Sequence, residues 1–411
     1  MTDALIIDAC RTPRGIGKQG KGALADMHPQ HLGAAVLKAL AERNQIDTAD
    51  VDDILWGTST QKGTQGNDLG RMSALDAGYD QRSSGITMDR FCGSGISVVN
   101  LAAASIMAGM EDLVIAGGCE MMSMTATLRG DGPGFMDAGN LRLRAKHPQS
   151  HQGVCADAIA TLEGISRADL DALALESQQR AAVAIAEGRF DKSLIKVYKA
   201  DGTLALEREE FPRPQTTAEG LAALNPAFTK LADVALDEQG TTFRKLILAK
   251  YPDLDIRHVH HAGNSSGVVD GSGALLLASP SYAKKHGLKA RARVVAYANV
   301  GDSPTLMLNA PVPAARKVLA KAGLTVDDID LWEINEAFAV VAEKFIRDLK
   351  LDRAKVNVNG GAMALGHPIG ATGAILIGTM LDELERRDLK RGLVTMCAAG
   401  GMAPAIIIER V

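Results

Sequence analysis

Four side chains carry groups that could act together on a carbonyl: Cys92, Asn335, His367 and Cys397. A thiol becomes a strong nucleophile when a base takes its proton, and the imidazole of His367 can be that base. A second thiol, Cys397, can carry a proton to or from carbon. A carbonyl under attack needs fixed donors for its developing negative charge. Backbone amides at Cys92 and in the Gly-rich turn after Cys397 could form one such site. His367, with a water held by Asn335, could form another. Two cysteines with separate tasks suit a reaction in two half-steps.

Each of these residues also has a structural reading. Free cysteine is among the most buried residue types, so Cys92 and Cys397 could be small core residues. Asn335 could cap the helix that follows it. Its neighbour Glu336 could orient it or be a solvated first-turn acid. His367 stands between Gly366 and Pro368, a poor setting for core packing. Cys10, Cys119 and Cys155 read as structural, and Met121, Met122 and Met124, beside a Gly-rich loop from Gly130 to Gly139, as ordinary packing. His147, His151, His258, His260 and His261 show no metal-like pattern, so no metal site is expected. Gly63 to Gly70 does not form a phosphate or dinucleotide fingerprint.

The elements that must position the four groups recur. Strand-like runs at 4–9, 51–57, 85–89 and 113–118 alternate with helical patterns at 30–44, 69–77 and 96–110. A Gly-rich elbow, Phe91-Cys92-Gly93-Ser94-Gly95, joins the third strand to its helix. Amides at a helix N-terminus favour negative charge, which stabilises a thiolate just before it. The order returns with strands at 293–300, 326–332 and 392–396, helices at 313–322, 337–349 and 371–384, and a last strand at 403–408. His367 lies in the second elbow, before 371–384. The repeat reads as an internal duplication. Alternating strands and helices argue for an α/β fold with a mainly parallel sheet covered on both faces. Reactive groups gather at the carboxyl ends of such strands. Between the halves, 121–261 reads as an insertion with a capped helix from Arg167 to Glu187.

Composition narrows the partners. The chain has 411 residues and a formal charge of −4, so nucleic acid is not an expected partner. Five cysteines, odd in number and without a CxxC pair, suit a reducing compartment. The N-terminus reads as a strand and not a targeting peptide, no run is long enough for a membrane span, and the chain does not end in a Ser-Lys-Leu signal. A cytoplasmic protein is expected.

Taken together, these motifs resemble the thiolase family. The resemblance rests on Cys92-Gly93-Ser94-Gly95, Ala262-Gly263-Asn264-Ser265-Ser266-Gly267, Pro311-Val312-Pro313-Ala314, Asn335-Glu336-Ala337-Phe338-Ala339, Gly361 through Gly370, and the Cys397 block. It implies a thiolase fold: duplicated βαβαβ halves in a five-layered αβαβα core. The halves would be 1–120, completed by 262–280, and 281–411, with a loop domain at 121–261. The resemblance further implies that Cys92 takes the acyl group, His367 activates it, and Cys397 is the acid/base at the α-carbon. Asn335 would hold an oxyanion-hole water, and the amides of Cys92 and Ala399 a second hole. Ser266, Ala337 and Phe338 would line the pantetheine channel. Acyl-CoA and coenzyme A would be the substrates, with no separate cofactor, in a homodimer or homotetramer.

The chain departs from the family pattern around coenzyme and acyl contacts. Ala398-Ala399-Gly400-Gly401-Met402 follows Cys397, Leu308-Asn309-Ala310 precedes Pro311, Gln152 stands at a common methionine position, and Thr229 to His261 is long. These changes bear on the substrate and not on the reaction. Two rival readings stay open: a Cys/His/Asn transferase or hydrolase without coenzyme A, and a catalytically silent acyl-CoA binder.

Overall fold

The computed structural model describes residues 2–128 and 136–411. The notional loop from Gly130 to Gly139 therefore lies partly outside the described residues. In the first half, strands β1 (Leu5–Arg11), β2 (Asp53–Gly57), β3 (Ile86–Met88) and β4 (Leu113–Met121) alternate with helices α1 (Pro29–Asn44), α2 (Leu69–Asp76) and α3 (Ser94–Met107). An excursion follows with helices α4 (Gln152–Leu162) and α5 (Arg167–Ala186). Ser166 and Asp169 close a capping box at the start of α5. The chain then re-enters the sheet as β5 (Val269–Ala278).

The second half runs β6 (Ala292–Gly301), α6 (Pro311–Ala322), β7 (Leu331–Ile334), α7 (Ala339–Leu349), α8 (Thr372–Arg386), β8 (Arg391–Thr395) and β9 (Met402–Arg410). The duplication is visible in strand order. The first half pairs as β3-β2-β4-β5-β1. The second pairs as β7-β8-β9-β6, with Val356 bridging Trp332 in the place β3 takes beside β2. β1 and β6 join the halves antiparallel at Leu5–Arg293 and Ile6–Ala292.

The sheet is mixed, which corrects the expectation of a mainly parallel one. Among the strands of the described residues, only β2 with β3 and β4, and β7 with β8, run parallel. The last strand of each half turns back between its neighbours. β9 follows β8 through a short turn, and a strand returning through so short a connection must run antiparallel.

Strand side chains alternate between layers, as the two-residue period requires. On β4, Val114 and Ala116 face a central layer while Leu113 and Ile115 face α1 and α2. On β9, Ile406 and Ile408 face the centre and Ile407 faces α6 and α7. The central layer is α3 and α8, held between the two half-sheets. Five layers result. α3 is buried almost all round, apart from the exposed Leu101 and the half-buried Ala104, Ser105 and Met107.

The two central helices touch backbone to backbone at their starts. A Cβ on Gly95 would lie 2.7 Å from the Gly373 nitrogen, and one on Gly373 would lie 2.1 Å from the Ile96 nitrogen. Backbone cannot move aside as a flexible side chain can. Gly373→Ala should therefore cost about 3 kcal/mol or more, the upper end of overpacking penalties. A drop in the denaturant midpoint checks this, and an unchanged midpoint would refute the close approach.

Candidate active site

The nucleophile candidate sits on a strained elbow. Phe91, just before Cys92, has φ 49°, a left-handed backbone that costs a non-glycine residue on the order of 1 kcal/mol. Local hydrogen bonds hold it there. The Ser94 hydroxyl accepts from Arg90 N–H at 2.8 Å and donates to Phe91 O at 2.7 Å, and Phe91 N–H donates to Asp89 Oδ1 at 2.6 Å. Cys92 is half-buried, two residues before the first turn of α3.

The second elbow matches the first. Gly95 and Gly373 are the second residues of α3 and α8, so counting back from them aligns Cys92 with Gly370. His367 falls three residues earlier, opposite Asp89. The two groups share an elbow type but not a position within it.

His367 is buried, and burial lowers its pKa from 6.5 to about 4, so the ring is neutral at pH 7. Its tautomer follows from its neighbours. The Thr372 hydroxyl spends its one proton on Pro368 O at 2.9 Å, so it can only accept from His367, whose Nδ1 lies 2.6 Å away. Nδ1 therefore carries the hydrogen. Nε2, buried and without a partner among the described residues, keeps its lone pair. Thr372 was not among the residues singled out from sequence, although a hydroxyl at a helix start five residues after a histidine was there to be read. Thr372→Val keeps the shape and removes the acceptor. It should lower kcat about 10- to 100-fold with little change in melting temperature, as loss of such orienting partners does elsewhere. Steady-state kinetics and a melting curve check this.

Cys397 lies beyond β8 and is buried. Burial pushes its thiol pKa up, and the neighbouring Cys92 adds to the shift, so it rests as a proton-bearing thiol near that residue. The turn after it is closed by Ala398 and Met402, which exchange backbone hydrogen bonds at 2.7 and 3.1 Å. Ala399, Gly400 and Gly401 form its tip, the glycines with φ 77° and 78°. This turn packs on the Cys92 elbow: a Cβ on Gly93 would lie 2.8 Å from Pro404 Cδ and 3.3 Å from Ala398 Cβ.

Asn335 follows β7, and its N–H donates to Thr395 O at 3.2 Å, two residues before Cys397. It caps no helix, because α7 starts four residues later at Ala339. Its side chain is buried, yet neither amide atom has a partner among the described residues. Buried amides are nearly always satisfied, so this pair is available to a ligand. Glu336 turns the other way. It accepts from Ser177 at 2.7 Å, Asn357 at 2.9 Å and Met363 N–H at 3.2 Å, which makes it a buried anchor and not a solvated acid.

A cavity of about 720 Å³ lies between the excursion and the 262–268 turn, lined by Phe211, Phe228, Ser266, Gly267 and Met363 among others. That volume suits a ligand of considerable size. Gly267 O accepts from His367 N–H at 2.9 Å, so the cavity wall is tied directly to the second elbow. Of the three expected channel residues, Ser266 lines this cavity. Ala337 and Phe338 are buried one layer behind: Ala337 O accepts from Ser266 N–H at 3.0 Å, and Phe338 packs edge-on against Phe228 at 5.9 Å. Lys18 and Arg213 stand at the exposed rim. Among the described residues, no group of three His, Cys, Asp or Glu side chains is placed to hold a metal ion, and no helix is long and apolar enough to cross a membrane.

The chain is similar to known proteins along its whole length. Residues 4–235 match the model for the thiolase N-terminal domain, and 288–410 that for the C-terminal domain. The chain is 40% identical to a steroid 3-ketoacyl-CoA thiolase of Mycobacterium tuberculosis, over all of this chain and 95% of the relative. It is 39% identical to a β-ketoadipyl-CoA thiolase of Acinetobacter baylyi and 38% to an acetyl-CoA acetyltransferase of Escherichia coli, over the full length of each. The crystal structure of a Bacillus anthracis acetyl-CoA acetyltransferase superposes with a TM-score of 0.82 at 32% identity, covering 100% of this chain and 99% of that one. This chain has the thiolase fold and belongs to the thiolase family of acyltransferases.

Proposed function

We propose that this thiolase cleaves or forms 3-ketoacyl-CoA through an acyl group carried on Cys92. The observation that carries the reading is His367 Nε2, a neutral, buried, unpartnered base on an elbow packed against that of Cys92. In the cleavage direction, His367 Nε2 takes the Cys92 proton and the thiolate attacks the 3-keto carbonyl. The C2–C3 bond breaks with its electron pair moving to C2, and the Cys397 thiol protonates C2 to give acetyl-CoA. Coenzyme A then enters and gives its thiol proton to Cys397. Its sulfur attacks the acyl-Cys92 carbonyl, and Cys92 leaves and recovers its proton from His367. Asn335, through a water, and the backbone amides of Cys92 and Ala399 receive the negative charge that develops on oxygen. Coenzyme A is a substrate, and each step is a proton or acyl transfer that uses no further cofactor.

Ser266 and the cavity wall support a pantetheine path, with Ala337 and Phe338 behind it fixing that wall. The anionic phosphates of coenzyme A suit the rim cations Lys18 and Arg213. The names of the relatives refer to a steroid 3-ketoacyl-CoA, β-ketoadipyl-CoA and acetyl-CoA, and a coenzyme A thioester is the chemistry they share. We read the protein as cytoplasmic and as a homodimer or homotetramer. The outermost strand β3, with Ile86 47% exposed, offers an edge that a second copy could cover.

Cys397→Ala tests this function against a hydrolase or transferase that ignores coenzyme A. The variant should lose cleavage of acetoacetyl-CoA and solvent-deuterium exchange into the methyl group of acetyl-CoA. Full activity without Cys397 would favour the rival enzyme. No turnover in the wild-type protein would favour a silent binder.

A further inference from the structure

Glu120 is a buried acid outside the machinery described above. It is the penultimate residue of β4, is 0% exposed, and forms no ion pair among the described residues. Four N–H groups converge on it. Its Oε2 accepts from Ser59 N–H at 2.8 Å and Gly370 N–H at 2.9 Å, while Oε1 accepts from Thr60 N–H at 3.1 Å and Gln65 Nε2 at 3.4 Å. Gln65 is held in turn, its amide oxygen accepting from Met121 N–H at 2.6 Å. Burial raises the carboxyl pKa and these donors oppose that rise.

The two partners of Oε2 belong to different halves of the molecule. Gly370 closes the elbow that carries His367. Ser59 follows Thr58, whose N–H donates at 3.1 Å to Met88 O, the last residue of β3 before the Cys92 elbow. The surrounding backbone leaves no slack. A Cβ on Gly57 would lie 2.6 Å from Gly370 O, and one on Gly118 would lie 2.3 Å from it. The His367 elbow is therefore seated between the ends of β2 and β4, with one carboxylate oxygen tying it to the segment that braces the Cys92 elbow.

We propose that Glu120 is a positioning residue that fixes the spacing between the Cys92 elbow and the His367 elbow, and so between nucleophile and base. This role presupposes the reading of Cys92 and His367 given above. Glu120 touches no reacting atom. Its effect is on the geometry of proton transfer and not on substrate binding, and a misplacement of about 1 Å can cost about 100-fold in rate.

Glu120→Gln and Glu120→Asp test the role in the full-length protein. Glutamine offers one acceptor oxygen and turns an amide N–H₂ toward backbone donors, while aspartate keeps both oxygens on a shorter stem. Three readouts are needed: steady-state kcat and KM, the pH profile of Cys92 alkylation by iodoacetamide, and amide exchange of residues 366–371. Glu120→Gln should lower kcat and the alkylation rate about 10- to 100-fold with KM within about twofold. Glu120→Asp should recover part of the loss, and both should exchange faster at 366–371. Wild-type kcat and alkylation in a folded Glu120→Gln would overturn the proposal. If that variant does not fold, wild-type exchange and kcat in Glu120→Asp would overturn it. His367→Ala separates the two layers of inference. Wild-type alkylation in His367→Ala removes His367 as the base. A drop there, with none in Glu120→Gln, removes Glu120 alone.

Discussion

Cys92→Ala should lower the turnover of acetoacetyl-CoA by about 10⁴-fold or more, the scale seen when a covalent nucleophile is deleted. The loss follows from chemistry. Without the thiol no acyl-enzyme forms, and the reaction cannot be split into two easier steps. Fold and binding should survive. Cys92 is half-buried at a helix start, and the Ser94 and Asp89 hydrogen bonds that hold its elbow do not involve its sulfur. Stopped-flow thioester absorbance, with a melting curve and a coenzyme A binding isotherm, checks each part. Turnover within tenfold of wild type would show that another group carries the acyl chain.

His367→Asn should cost about 10³- to 10⁴-fold in kcat/KM, since it removes both the base and one contact to the oxyanion. The pH dependence carries a sign of its own. With a folded pKa of about 4, the wild-type ring stays in its base form well below pH 6.5, so His367 adds no acid limb near pH 6.5 to the free-enzyme profile. The same shift bears on stability. The unfolded ring takes up a proton at an ordinary histidine pKa and the folded ring does not. The contribution is therefore full above about pH 6.5 and is lost as pH falls from there toward about 4. At roughly 1.4 kcal/mol per pH unit, the loss approaches about 3 kcal/mol. His367→Asn lacks this linkage, so its stability relative to wild type should improve as pH falls from 7 to 4. Melting curves across that range test it, and a constant difference would contradict a buried neutral ring.

Much of this site could be read from residue types and order. Glycines marked both elbows, Gly93 and Gly95 at the first and Gly360, Gly361 and Gly366 at the second, as positions where the backbone turns tightly. The repeat of strand, helix and elbow gave the duplication, which the matching strand orders express. Strand direction was not legible. Nothing in the β8 and β9 residues themselves says that the chain turns back, since buried strands of either direction show the same apolar run. Asn335 could be read either as a cap or as the holder of a water, because both kinds of asparagine have the same local sequence, and the later start of α7 rules out the cap. Glu120 could not be found at all. Its link to Gly370 spans 250 residues, and an isolated acid at a strand end carries no local pattern.

The central claim is that Cys92 and His367, from opposite halves, act on one thioester carbonyl. Its most direct test is rapid quenching of the wild-type enzyme with acetyl-CoA alone, followed by peptide mass spectrometry, alongside His367→Asn. One acetyl group is expected, on the peptide bearing Cys92, formed within the time of a single turnover and far more slowly in the variant. An acetyl group on another residue, or an equal rate of Cys92 acetylation without His367, would contradict it.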